Sequence, residues 1–140
     1  MIPGLTITIV DADDDYSGIE IQACSDRFAG CARVSAGLRE LTEFAAKLVG
    51  FPKHHSDQQT HEFGSRSGGT AGGYCRIQFR SIDRAGHVAL QIEIEEEDGW
   101  WTRSSTQMNL QTEAAEIDRF IESLRALDRD RCGSAVLTPL

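Results

Sequence analysis

The sequence predicts an α+β domain: one antiparallel sheet of about six strands, with two amphipathic helices packed on one face. The stretch Val88-Ala89-Leu90-Gln91-Ile92-Glu93-Ile94 alternates apolar and polar side chains, the period-2 pattern of a strand with one buried face. Two other stretches repeat apolar residues at helical spacing. The strand-like segments are joined by short turns, which favours antiparallel neighbours.

Leu5-Thr6-Ile7-Thr8-Ile9-Val10 is β-branched and alternating, and forms the first expected strand. The polar loop Asp11-Ala12-Asp13-Asp14-Asp15 follows. Its Asp-x-Asp-x-Asp pattern lacks the glycine and terminal glutamate of a calcium loop, because Tyr16 and Gln22 stand there. Gly18 to Cys24 and Phe28 to Val34 predict two strands turned at Ser25-Asp26-Arg27. Ile19, Ile21 and Ala23 would share a face with Phe28, Ala32 and Val34, and Glu20 or Gln22 would pair with Arg33. The same register brings Cys24 near Cys31.

Leu38 to Val49 predicts the first helix, with Leu38, Leu41, Ala45 and Leu48 inward, Phe44 and Val49 widening the same stripe, and Gly50 and Pro52 ending it. The segment from Lys53 to Glu62 holds His54, His55 and His61 without a zinc-protease spacing, and is expected to be largely loop. Gly64 to Gly73 has neither the Gly-Lys-Ser/Thr of a phosphate loop nor Gly-x-Gly-x-x-Gly, and is expected to be a flexible hairpin loop. Centring the next turn on Arg84 and Ala85 pairs Phe79 with Leu90, Ile77 with Ile92, Cys75 with Ile94 and Arg76 with Glu93. Thr102 to Gln111 is a further strand with Met108 and Leu110 inward. Thr112 is the expected N-cap of a second helix faced by Ile117, Phe120, Ile121, Leu124 and Leu127.

The 140 residues fit a single domain over 1–130, with a flexible tail over 131–140. The 22 acids against 14 Lys plus Arg leave a formal net charge of −8. That field repels phosphate backbones, so nucleic acid is not an expected partner, and it favours a basic protein. No apolar run reaches the length of a membrane span and the start has no secretory pattern, so the expected location is cytoplasmic. The four cysteines include no Cys-x-x-Cys and are expected to be reduced thiols.

No catalytic constellation stands out, and no cofactor or metal is expected. Glu95 and Glu97 could serve as acid and base in principle, yet consecutive glutamates at a strand end form an acidic rim. The candidate partner-binding residues are Glu95, Glu96, Glu97, Asp98, Trp100 and Trp101, where the strand pattern gives way to acids and aromatics, together with Asp13, Asp14 and Asp15.

Gly18-Ile19-Glu20-Ile21, Phe28-x-Gly30, Leu41-x-x-Phe44 with Leu48, Gly86-His87-Val88, and Glu113 leading an apolar helix to Leu124 span about residues 17–127. This set resembles small bacterial immunity-type proteins related to the inhibitor of the wall-associated polymorphic toxin. Where that family carries a tryptophan before the second strand, this chain has Asp13-Asp14-Asp15-Tyr16. The resemblance implies a non-enzymatic acidic protein that binds and blocks a toxin domain, often a nuclease. The alternatives are a small-ligand-binding or regulatory domain with the glycine-rich loop as a lid, and a metal-dependent hydrolase built on His54, His55 and His61.

Overall fold

The computed structural model describes residues 2–65, 72–97 and 103–140. Alternation of buried and exposed side chains builds three strands in succession: β1 (Gly4–Ala12), β2 (Tyr16–Cys24) and β3 (Ala29–Gly37). Helix α1 (Glu40–Leu48) follows, then β4 (Gln58–Gly64), β5 (Tyr74–Ser81), β6 (His87–Glu97) and β7 (Arg103–Glu113). Helix α2 (Ala114–Asp130) and β8 (Ser134–Leu137) complete the chain.

The class is α+β, but the single sheet of about six strands is corrected. The described residues form two antiparallel four-stranded sheets, ordered β3-β2-β1-β8 and β4-β5-β6-β7. Alternation tells which face of a strand is buried, not which sheet it joins. Two strands also lacked a clear signal. β4 lies in the histidine-rich segment expected to be largely loop, and β8 in the tail expected to fray. Instead β8 pairs with β1 and buries Ala135 and Leu137.

The hairpin of β5 and β6 has the predicted register, with Phe79 opposite Leu90, Ile77 opposite Ile92 and Cys75 opposite Ile94. Arg76 faces Glu93 across it at 3.9 Å. Between β2 and β3, Ile19 meets Val34 and Ile21 meets Ala32 as expected. Phe28 does not join them and is 68% exposed. The turn is one residue longer than its sequence implies: the Ser25 N–H donates to the Phe28 carbonyl at 2.8 Å, so β3 starts at Ala29. Cys24 is buried, Cys31 is exposed, and both are free thiols.

Helix α1 is shorter than its periodic stripe, leaving Leu38 and Val49 exposed while Leu41, Phe44, Ala45 and Leu48 are buried. Gly50 takes the left-handed conformation expected of a helix stop. Arg39 occupies the N-cap without a capping side chain; Asp128 of α2 substitutes, its Oδ2 accepting from the Thr42 N–H at 2.8 Å and hydroxyl at 2.7 Å. Thr112 is not the cap of α2. It lies within β7 opposite Val88, its hydroxyl donates to the Thr138 carbonyl at 3.0 Å, and Glu113 holds the N-cap position. The buried face of α2 is the predicted set of five residues.

One continuous core joins both sheets and both helices. Phe44 sits at its centre, with ring centroids 5.6 Å from Phe63 and 6.1 Å from both Phe79 and Phe120. Strand β3 runs along the edge of the first sheet and touches every strand of the second. That crossing demands a small residue at position 30, where a Cβ would collide with Thr106 Cγ2.

Gly30→Ala should therefore cost about 1–3 kcal/mol through overpacking. Thr106→Ser, which removes the methyl group in the way, should recover most of that loss in the double variant. Urea unfolding of the four proteins checks the cycle, and additive effects would show that the two positions do not meet.

Candidate functional site

The three histidines do not converge. His61 lies on β4 inside the core, its ring 4.9 Å from Phe44 and 4.4 Å from Phe63. Lys47 Nζ stands 3.1 Å from His61 Nδ1, and Glu40 Oε2 stands 3.0 Å from Nε2. An ammonium has no lone pair, so Nδ1 accepts and Nε2–H donates to the carboxylate. Burial works to raise the Glu40 pKa, but hydrogen bonds from His61 and the Gly37 N–H outweigh it and hold the carboxyl below its ordinary range. The assembly clasps α1 to β4. His54 and His55 are exposed and line a separate cleft beside Asp83, whose carboxylate meets His87 Nδ1 at 2.7 Å. Among the described residues no group of three His, Cys, Asp and Glu side chains is arranged to hold a metal ion.

A larger cleft, of about 610 Å³, opens where the first sheet meets the end of the β5–β6 hairpin. Val10 and Asp11 of β1, Tyr16 and Gly18 of β2, and Arg33 and Ser35 of β3 form one side. Gly64, Ser65, Gly72, Gly73 and Glu96 form the other. Gly18 leaves room for the Asp11 carboxylate, which a Cβ there would displace. Gly73 is required because a Cβ there would come within 2.8 Å of the Arg33 carbonyl and of Glu96 Oε2.

The candidate acids divide into two kinds. Asp13 is spent on its own turn, Oδ1 accepting from the N–H groups of Asp15 at 2.8 Å and Tyr16 at 2.9 Å. That turn carries exposed Asp14 and Asp15 at the mouth of the β1–β2 hairpin. Arg131, just past α2, braces it through Nη2 to the carbonyls of Asp13 and Tyr16. Glu95 is half-buried and bonded to Arg103 Nη2 at 3.1 Å. Glu96 accepts the outward backbone N–H of Arg33 at 3.0 Å, and the Gly73 N–H donates to the Arg33 carbonyl at 2.9 Å. Glu97 stands opposite Arg103 in the backbone register. Its side chain, with Asp98, Trp100 and Trp101, lies outside the described residues, as does the centre of the glycine-rich loop.

Of the predicted acids the structure thus places Glu96 in the cleft, while Asp13, Asp14 and Asp15 form the turn between two of its lining residues; Asp11, Tyr16 and Ser35, which the sequence did not single out, line it as well. An exposed tyrosine directly after an acid run was the available signal. Arg33 makes its expected pair with Glu20, at 3.2 Å. Compared with known proteins, the chain matches no family model, no curated protein and no solved structure.

The acidic field has a built-in reporter. Burial raises the Cys31 thiol above its ordinary pKa, and Glu20 and Glu96 raise it further. A raised pKa means less thiolate and slower alkylation at mildly alkaline pH. Cys24 and Cys75 are buried, and burial pushes Cys75 up to about 12, so Cys132 is the other exposed thiol. In a Cys132→Ser background, Glu20→Gln should lower the Cys31 pKa and speed its reaction with iodoacetamide. A pH–rate profile that does not move would contradict the assignment.

Proposed function

We propose that this is a non-enzymatic binding protein whose acid-rimmed cleft engages a basic protein partner, and that it serves in the cytoplasm as an immunity protein neutralising a basic toxin domain. One observation carries the reading: acids far apart in the sequence, Asp11 of β1 and Glu96 at the end of β6, line the same cleft, and the exposed Asp13–Asp15 turn joins two of its lining residues, Asp11 and Tyr16. Exposed carboxylates of Asp11, Asp14 and Asp15 close in sequence to an exposed Tyr16 suit a partner that brings both cations and apolar contact. The formal net charge of −8 adds long-range attraction for such a partner and repels nucleic acid. The resemblance to immunity-type proteins points the same way. Neither a cofactor nor a metal has a role in this proposal.

A second reading has support from one feature. The flanks of the glycine-rich loop, Gly64, Ser65, Gly72 and Gly73, line the cleft, which is where a lid over a small ligand would be hinged. The acidic rim favours the protein partner.

The test is co-production with the toxin-like protein encoded by a neighbouring gene. A stable complex and rescue of growth are expected; neither appearing would end the immunity reading. Reversing Asp14 and Asp15 to lysine should slow association about tenfold at low salt and flatten its salt dependence, with dissociation little changed. An unchanged association rate in stopped flow would remove the steering role of the hairpin.

A further inference from the structure

We infer that the cleft takes its partner as an extended basic segment that adds to the free edge of β3, hydrogen-bonding the backbone of Ser35. This rests on the reading that the cleft engages a basic protein.

Among the described residues strand β3 is an edge strand, paired only with β2. In an antiparallel ladder the residues of an edge strand alternately bond inward and point outward. The Arg33 N–H and carbonyl are bonded to Glu96 and Gly73, so Arg33 points outward. The register from Cys31 to Gly37 is unbroken, and therefore Cys31, Ser35 and Gly37 point outward as well. The Gly37 N–H is covered by Glu40 Oε1 at 3.0 Å. Among the described residues the outward backbone groups of Ser35 have no hydrogen-bond partner, and Ser35 lines the cleft. They sit one rung beyond the point where Gly73 already bonds to β3 as a neighbouring strand would.

An unpaired strand edge beside a cleft is the geometry used for strand addition, in which main-chain bonds supply affinity and alternate side chains supply specificity. Here those side chains would meet two different surfaces. Val10 and Tyr16, each 41% exposed, offer apolar contact. Asp11 and Glu96 line the cleft and the exposed Asp13–Asp15 turn adjoins it, while the Arg33 guanidinium on the same wall is paired with Glu20; the balance is acidic, which selects lysine or arginine in the arriving segment.

Phage display of random peptides of about ten residues, selected on the whole folded chain, tests this directly. The expected binders alternate Lys or Arg with β-branched or aromatic residues. Ser35→Pro deletes the outward N–H and leaves the ladder bonds to β2 intact, since proline is tolerated on a free strand edge. It should weaken the selected peptides at least about tenfold while circular dichroism stays unchanged. Methylating alternate backbone nitrogens of a selected peptide should weaken it similarly on the unaltered protein, a readout that holds even where the proline variant misfolds. Basic peptides indifferent to both changes but weakened by Asp14→Lys with Asp15→Lys would overturn strand addition and leave the acidic cleft standing. Peptides without basic character, or no enrichment at all, would overturn both.

Discussion

The close crossing of β3 over the second sheet is the constraint on which the rest depends. One strand closes the first sheet, contributes Ala32, Val34 and Ala36 to the shared core and carries its outward edge into the cleft. Gly30 lets it approach Thr106, and Gly73 lets the chain before β5 lie against it. A methyl group at position 30 would strike the Thr106 side chain, and one at position 73 the Arg33 carbonyl. The core and the candidate site therefore share a wall, and side chains that fix one also shape the other.

The same strand explains how the acids are used. A carboxylate near an exposed strand edge can satisfy backbone N–H groups, and Glu96 and Glu40 do this at Arg33 and Gly37. Such capping blunts the edge against indiscriminate pairing. Among the described residues the rung at Ser35, between those two capped rungs, has no such group, and the cleft it lines also holds Asp11. Glu96 is in this sense a structural group as well as a charged one, whereas Asp14 and Asp15 are exposed at the hairpin tip. No helix among the described residues is long and apolar enough to cross a membrane.

Much of the local structure was legible because alternation and helical spacing are imposed by burial. The register of β5 against β6 followed from matching apolar residues, and the buried face of α2 followed from its spacing. The two-sheet arrangement was not legible, since a strand's pattern does not name its neighbours. β4 was hidden by polar residues such as Thr60 and Glu62 on its outer side and by His61, a polar residue buried between aromatic rings. β8 was hidden by its shortness. At the site, the Asp13–Asp15 run was visible as charge, but the partnership of Asp11, Tyr16 and Glu96 depends on three-dimensional proximity. The open rung at Ser35 leaves no trace in the sequence, because it is a property of the backbone and of which neighbours cap it.

Residue-resolved amide hydrogen exchange along β3 tests the central claim most directly. Ala32, Val34 and Ala36 should be protected by the ladder with β2, and Arg33 should be protected by Glu96 although it faces outward. Ser35 should exchange close to the rate of an unstructured peptide. An Arg33 amide as fast as Ser35, or a Ser35 amide as slow as Val34, would contradict an edge that is clamped at one rung and open at the next.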